Sequence, residues 1–175
     1  ELASGLTGVG RMAEPEEIVH QLESSFSTDQ KLAGKKVLVT AGPTYEAIDP
    51  VRFIGNHSSG KMGFAIAGEL ASQGAMVNLV CGPTNQHSHH PRINVIPVTT
   101  AEEMYNACTE LFPGMDIAVL AAAVADYKPA TKADQKIKKK DERVTLELIK
   151  THDIAASLGK QKHNGQIIVG FALET

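Results

Sequence analysis

A turn rich in serine, glycine and lysine, Gly55-Asn56-His57-Ser58-Ser59-Gly60-Lys61-Met62-Gly63, is the segment of this chain best suited to hold an anion. The apolar run Phe64-Ala65-Ile66-Ala67-Gly68-Glu69-Leu70-Ala71 follows it and reads as a helix. The first N–H groups of a helix lack partners within it, and its dipole favours negative charge at that end. Ser58 and Ser59 add hydroxyl donors, and Lys61 adds a full positive charge. Upstream, Lys36-Val37-Leu38-Val39-Thr40 reads as an apolar strand closed by Ala41-Gly42-Pro43-Thr44. Strand, small-residue turn and helix in that order predict a nucleotide-handling site.

Two familiar phosphate loops are matched only in part. Gly55 to Lys61 fits the opening of a P-loop, but Met62 stands where a magnesium-binding Ser or Thr belongs. Val51-Arg52-Phe53-Ile54 is also short and close to Pro50 for a P-loop strand. In the dinucleotide fingerprint, Ser58 replaces the first glycine while Gly60 and Gly63 supply the others.

Further groups with chemical potential lie downstream. Ala121-Ala122-Ala123-Val124-Ala125-Asp126-Tyr127 follows a buried strand; its small side chains let a ligand approach backbone amides, and Asp126 offers a carboxylate to a hydroxyl or to magnesium. The alternative for Asp126 is a strand-end residue capping the next turn. Lys136-Ile137-Lys138-Lys139-Lys140 is either a solvated basic face or a loop that folds over a triphosphate, with Ile137 as its anchor. His87, His89 and His90 sit between Pro83 and Pro91 with no carboxylate or cysteine to complete a metal set, and read as a surface loop. Cys81 and Cys108 read as reduced core residues.

The elements that must position these groups follow from the bulk pattern. The 175 residues fit one domain with a short appendage, and 42% hydrophobic residues suffice for an ordinary core. A net charge of -3 argues against nucleic acid and anionic membrane as partners. There is no apolar run of about 18 residues, and Glu1-Leu2-Ala3-Ser4-Gly5 lacks the pattern of a secretory signal. A cytoplasmic protein is expected. Residues 1–34 contain a loop with Gly5, Gly8, Gly10, Arg11, Met12 and Pro15, a helix over 16–26 and a turn at Ser27-Thr28-Asp29-Gln30; they read as a linker. From Lys35 strands and helices alternate: strand 37–40, helix 61–72, strand 75–81, strand 93–98, helix 101–111 capped by Thr100 and Glu103, strand 116–121, an alternating strand over 143–149, helix 153–160 and strand 166–171. Strands apolar on both faces and separated by helices predict an α/β, Rossmann-like, doubly wound and mainly parallel sheet with helices on both faces. In such sheets ligands bind beyond the carboxyl ends of the strands.

Taken in order, Thr40-Ala41-Gly42-Pro43-Thr44, Asp49-Pro50-Val51-Arg52-Phe53-Ile54, Asn56-His57-Ser58-Ser59-Gly60-Lys61-Met62-Gly63, Ala122-Ala123-Val124-Ala125-Asp126-Tyr127 and Lys136-Ile137-Lys138-Lys139 closely resemble phosphopantothenate–cysteine ligase. This is the CTP-using synthetase of bacterial coenzyme A biosynthesis. The likeness runs over residues 35–175. Gly8-Val9-Gly10-Arg11-Met12-Ala13-Glu14-Pro15 resembles the tail of the flavin-dependent decarboxylase fused ahead of that ligase in many bacteria, so FMN is expected only in a preceding domain. The resemblance implies CTP and Mg2+ at the site, 4′-phosphopantothenate and L-cysteine as further substrates, and a homodimer.

It also implies roles for individual residues. Asn56 would bind substrate and stabilise an acyl-cytidylate, its amide NH2 donating to an acyl oxygen. Lys136 would contact the nucleotide and serve the cysteine-transfer step. Ser58, Ser59, Gly60 and Lys61 would hold the triphosphate; Ala122, Ala123 and Asp126 would line the pocket; Arg52 would reach a substrate phosphate across the dimer interface. Gly42, Lys138, Lys150, Asp153 and Phe171 complete the expected binding set. Where many relatives carry Asn-Pro-Asp-Ile after the lysine, this chain reads Lys150-Thr151-His152-Asp153-Ile154. The family continues beyond the position of Thr175, so the expectation is a C-terminally truncated domain with weak or absent full turnover.

Two other readings make contrary demands. A nicotinamide-dependent oxidoreductase needs an acidic residue about 20 positions beyond the glycines, where Cys81-Gly82-Pro83 stands. A non-catalytic nucleotide-binding module needs neither Asn56 nor Lys136.

Overall fold

A computed structural model of the chain describes residues 13–26, 30–138 and 143–172. It comprises two compact units, residues 1–30 and 31–175. In the first, helix α1 (Pro15–Phe26) begins with a proline and carries Glu16 and Glu17 in its first turn, both suited to a helix start. The expected glycine loop before it and the turn at Ser27, Thr28 and Asp29 lie outside the described residues. Leu32 packs on the core of the second unit, which begins at Lys31, slightly ahead of the expected boundary after residue 34.

The second unit runs through β1 (Lys36–Ala41), β2 (Tyr45–Ala47), β3 (Phe53–Gly55), α2 (Lys61–Ser72), β4 (Met76–Cys81), β5 (Ile93–Pro97) and α3 (Ala101–Leu111). A 3-10 turn (Phe112–Gly114) leads to β6 (Ile117–Leu120), β7 (Tyr127–Pro129), β8 (Leu148–Lys150), α4 (Ile154–Gln161) and β9 (Ile167–Gly170). Five of these strands form one parallel sheet in the order β5-β4-β1-β6-β9. The expected doubly wound α/β fold is thus observed.

Strand β1 shows why both faces are covered. Side chains alternate along a strand, so Val37, Val39 and Ala41 join a core with Ala67 and Ala71 of α2. Leu38, pointing the other way, joins Met104 and Cys108 of α3 and Ile154 and Leu158 of α4. The chain winds outward from β1 through β4 to β5, then returns to the other side through β6 and β9. That reversal places the topological switch point at the carboxyl ends of β1 and β6, where this fold class binds ligands.

Local signals account for the helix starts. Thr100 Oγ1 accepts from Glu103 N at 3.1 Å and Glu103 Oε2 accepts from Thr100 N at 3.2 Å, the predicted capping box. Asp153 caps α4, its Oδ1 accepting from Ala156 N at 2.8 Å. Cys81 and Cys108 are free and buried, and burial pushes the Cys108 thiol up to about 12.

One predicted strand is shorter than its pattern. Of the alternating 143–149 segment only Leu148 and Ile149 fall in a strand, β8, which pairs antiparallel with β7 rather than with the main sheet. Residues 143–147 are exposed on both faces, so their alternation buries nothing. A second ribbon, β2 with β3, was not legible because each strand has only three residues.

Candidate functional site

Two loops meet at the switch point and are held by threonine hydroxyls. Thr40 Oγ1 accepts from the backbone N–H groups of Ala121 and Ala122, each at 3.1 Å. Thr44 Oγ1 accepts from Ala125 N at 2.9 Å, and Ala123 N donates to Gly42 O at 2.9 Å. Both threonines are buried. The amides of Ala121, Ala122, Ala123 and Ala125 are therefore spent internally rather than left free for a ligand. Gly42 has φ +75°, and a Cβ there would meet Gly82 O at 3.0 Å; one on Gly82 would sit 1.7 Å from Pro43 O. Backbone contact at Gly82 fills the end of β4, where the ribose-binding carboxylate of a nicotinamide enzyme would stand.

Beyond the ends of β6 and β9 lies a cavity of about 720 Å³. Thr40, Ala122, Val124 and Asp126 border it from the switch point, and Lys150, Thr151, His152 and Asp153 from the turn into α4. Phe171 closes the β9 end. Of the expected binding set, Ala122, Asp126, Lys150, Asp153 and Phe171 thus share one wall system.

The turn at Thr151-His152, where the resemblance leads to the expectation of Asn-Pro, is anchored by hydrogen bonds. Thr151 Oγ1 donates to Ala125 O at 2.7 Å and Thr151 N to Asp126 O at 2.9 Å. The His152 ring stacks on Tyr105 with centroids 4.5 Å apart. Its Nε2 lies 3.7 Å from Glu102, which also pairs with Lys128 at 3.1 Å.

A second hollow of about 350 Å³ holds Ser58 and Ser59 together with Tyr45 and residues 83–86. It lies at the start of α2, whose N-cap Gly60 has φ +75° and receives no side-chain cap. Ser58 Oγ accepts from Gly60 N at 3.3 Å, and Thr84 Oγ1 donates to Ser59 O at 2.6 Å. Gly63 lets α2 lie on β1, since a Cβ there would come within 2.5 Å of Ala41 Cβ. Lys61 is exposed. The two hollows share no lining residue, and Asn56 links their loops: its Nδ2 donates to Val124 O at 2.9 Å and Ala123 O at 3.4 Å. The NH2 has two protons, so donation to an acyl oxygen would require it to give up one of these carbonyls, the 3.4 Å bond to Ala123 O being the weaker, while Oδ1 remains as an acceptor.

The basic loop is pinned by a carboxylate that sequence reasoning passed over. Asp49, buried in the turn between β2 and β3, accepts from Val51 N at 2.8 Å and Arg52 N at 2.9 Å through Oδ1. Its Oδ2 takes Arg52 Nε at 3.0 Å, Ile137 N at 3.1 Å and a further short bond from the same guanidinium. The Arg52 guanidinium, followed by these backbone N–H groups, holds the Asp49 carboxyl far below the usual carboxylate range, against the opposing effect of burial. Arg52 also donates to Ile137 O at 3.0 Å. Ile137 anchors its loop through its backbone, and Lys136 and Lys138 on either side stay exposed. Lys139 and Lys140 lie outside the described residues.

Arg52 is therefore engaged within its own chain, not extended as a free arm. The histidine loop behaves as a loop: His90 Nδ1 accepts from Arg92 N at 3.1 Å, and no group of three or more metal-type ligands occurs among the described residues. Sequence reasoning also missed Glu46, a buried carboxylate accepting from Ala101 N at 2.7 Å at the start of α3. A three-residue strand gives no pattern to reveal it.

Residues 32–175 match the DNA/pantothenate metabolism flavoprotein C-terminal domain. The chain is 49% identical over 173 residues to the coenzyme A biosynthesis bifunctional protein CoaBC of Haemophilus influenzae, covering 99% of this chain and 43% of that protein. It is 55% identical over 179 residues to a cysteine/cysteine sulfinic acid decarboxylase from an unknown prokaryotic organism, covering 100% of this chain and 50% of that one. The chain thus spans half or less of the length of these relatives. The crystal structure of the C-terminal domain of a CoaBC protein superposes with a TM-score of 0.70 at 40% identity, over 83% of this chain and 67% of that chain. With its parallel sheet, switch-point cavity and sequence match in agreement, the chain belongs to the DNA/pantothenate metabolism flavoprotein C-terminal domain family.

Proposed function

We propose that this chain carries the ligase chemistry of coenzyme A biosynthesis, joining 4′-phosphopantothenate to L-cysteine at the expense of CTP. A carboxylate oxygen of phosphopantothenate attacks the α-phosphorus of CTP, the bond to the bridging oxygen breaks, and pyrophosphate leaves. The amine of cysteine then attacks the acyl carbon, loses a proton, and displaces CMP. The observation that carries this reading is the tether from Asn56 to the wall of the cavity, in a chain whose family match covers residues 32–175. The cavity volume falls within the range usual for small-molecule sites.

The chain's own groups divide the work. Asp126, Lys150, Asp153 and Phe171 border the nucleotide, with Ala122 and Ala123 allowing close approach. Ser58, Ser59, Gly60 and Lys61 receive phosphate oxygens at the open start of α2. Asn56 holds the acyl group, and Lys136 and Lys138, carried by the Asp49–Arg52–Ile137 clasp, bring charge to the leaving group. Magnesium is commonly held by one or two carboxylates plus substrate phosphates; Asp126, whose carboxylate makes no bond among the described residues, suits that set. The metal would neutralise the triphosphate.

A homodimer, an Arg52 contact with the neighbouring subunit, a cytoplasmic location and a flavin decarboxylase domain preceding residues 1–34 belong to the same proposal. No described helix is long and apolar enough to cross a membrane.

Calorimetric titration with CTP, ATP and NADH in magnesium buffer tests the reading. CTP binding that is lost in Lys136→Ala supports it, and mass detection of an acyl-cytidylate after adding phosphopantothenate separates a ligase from a binding module. NADH binding with no response to CTP would restore the oxidoreductase. Silence towards CTP in a chain extended past Thr175 would sink the ligase.

A further inference from the structure

Thr40 combines three properties that point beyond a structural role. It is buried, at 2% exposure, yet borders the 720 Å³ cavity. Its Oγ1 accepts two backbone hydrogen bonds, from Ala121 N and Ala122 N, both at 3.1 Å. A hydroxyl has two acceptor positions and one proton, so both acceptor positions are filled. Among the described residues no acceptor takes the proton. Buried polar hydrogens rarely go unpaired, and the cavity is the space left for a partner.

We propose that Thr40 is a ligand-contacting residue, donating its hydroxyl proton to an oxygen atom of the molecule bound in this cavity. The inference rests on the reading of the cavity as a nucleotide site. The two amides cannot reach a ligand themselves, because Thr40 consumes them. They act through it: N–H groups feeding an oxygen make its own O–H a stronger donor. The turn after β6 thereby presents a polarised hydroxyl where approach to backbone amides was expected. A hydroxyl with both acceptor positions filled cannot accept, so the contact selects an acceptor on the ligand, either a phosphate oxygen or a base carbonyl.

The test is calorimetry on the full chain with Mg-CTP as probe, comparing wild type, Thr40→Val and Thr40→Ser. Thr40→Val keeps the shape and loses the hydroxyl; we expect CTP affinity to fall about tenfold with binding stoichiometry unchanged, and Thr40→Ser to restore it within about twofold, about 1.4 kcal/mol per tenfold being within reach of one hydrogen bond. Loss of the two amide bonds alone would instead weaken cytidine and inorganic triphosphate alike, whereas loss of the donated proton penalises only the probe that carries the acceptor. Cytidine and inorganic triphosphate as separate probes locate the acceptor on base or phosphate by which one keeps the Thr40→Val penalty. Should Thr40→Val fail to fold, hydrogen exchange of the Ala121 and Ala122 amides in wild type serves in its place: slowing upon CTP binding supports the contact, and unchanged rates overturn it. Wild-type affinity in Thr40→Val overturns it as well. If wild type itself ignores CTP, the nucleotide reading has failed rather than the role of Thr40.

Discussion

Asn56 donates its side-chain amide to the carbonyl oxygen of Val124 at 2.9 Å across 68 positions of sequence. The contact joins the loop that opens α2 to the turn that borders the cavity. Through it, the serine-glycine segment and the alanine segment become parts of one structure, although they line different hollows.

Asn56→Ala therefore removes both a ligand group and a tether. The two lost hydrogen bonds, one of them long at 3.4 Å, cost about 1–2 kcal/mol, a modest drop in melting temperature. CTP affinity should stay within about threefold, since the cavity walls remain, whereas acyl transfer should fall at least about a hundredfold, in the range of a lost transition-state donor. Pyrophosphate release and CMP release, followed separately, locate the step. A parallel loss of CTP binding would mean the tether itself builds the nucleotide site.

Asp49 gives a pH signature with a definite sign. Its carboxyl is held far below the usual range by Arg52 and backbone donors, so its contribution is fully present above the ordinary carboxylate pKa. It is lost progressively as pH falls through that value toward the lower folded one. The melting temperature of wild type should exceed that of Asp49→Asn by a constant margin above about pH 5, and the margin should shrink below about pH 4. Asp116 is also depressed, first by its bond from Lys36 N and then by Lys35, but it contributes equally to both proteins. A margin that is the same at every pH would refute the assignment.

The parallel sheet was legible because β1, β4 and β6 are apolar on both faces, and the capping box at Thr100 because its two partners sit three residues apart. The site was legible in its individual parts but not in its joints. Asp49 was visible only as a member of a motif, and nothing local announces that it would bind Ile137, 88 positions away. Thr40 looked like an ordinary strand end, since hydrogen bonds to Ala121 and Ala122 have no sequence period. The alternation at 143–147 misled for the opposite reason: the period is present, but no face is buried.

Two glycines of α2 should respond oppositely to the same change. At Gly68 an added Cβ meets nothing within 4 Å, so Gly68→Ala should stabilise by about 0.5–1 kcal/mol through helix propensity alone. At Gly63 it would come within 2.5 Å of Ala41 Cβ and 3.0 Å of Thr40 O. Gly63→Ala must push α2 off β1, costing about 1–3 kcal/mol and shifting the serine turn. Denaturant unfolding of the pair measures both, and a stable Gly63→Ala would show that α2 rides more loosely on the sheet than its contacts imply.

Arg52 and Lys136 separate support from chemistry in the basic loop. Lys136 is exposed, so Lys136→Ala should leave stability within about 0.5 kcal/mol while reducing nucleotide binding and cysteine transfer. Arg52 instead pairs with Asp49 and donates to Ile137 O. Arg52→Ala leaves a buried carboxylate without its cation and frees the loop that carries Lys136 and Lys138, so melting temperature and nucleotide affinity should fall together. Arg52→Lys should recover little, because one ammonium cannot hold Asp49 through two nitrogens and also reach Ile137 O. Thermal melts with and without CTP, alongside hydrogen exchange at Ile137, distinguish the two outcomes. If Arg52→Ala kept the Ile137 amide protected and the melting temperature intact, the clasp would be incidental to the loop.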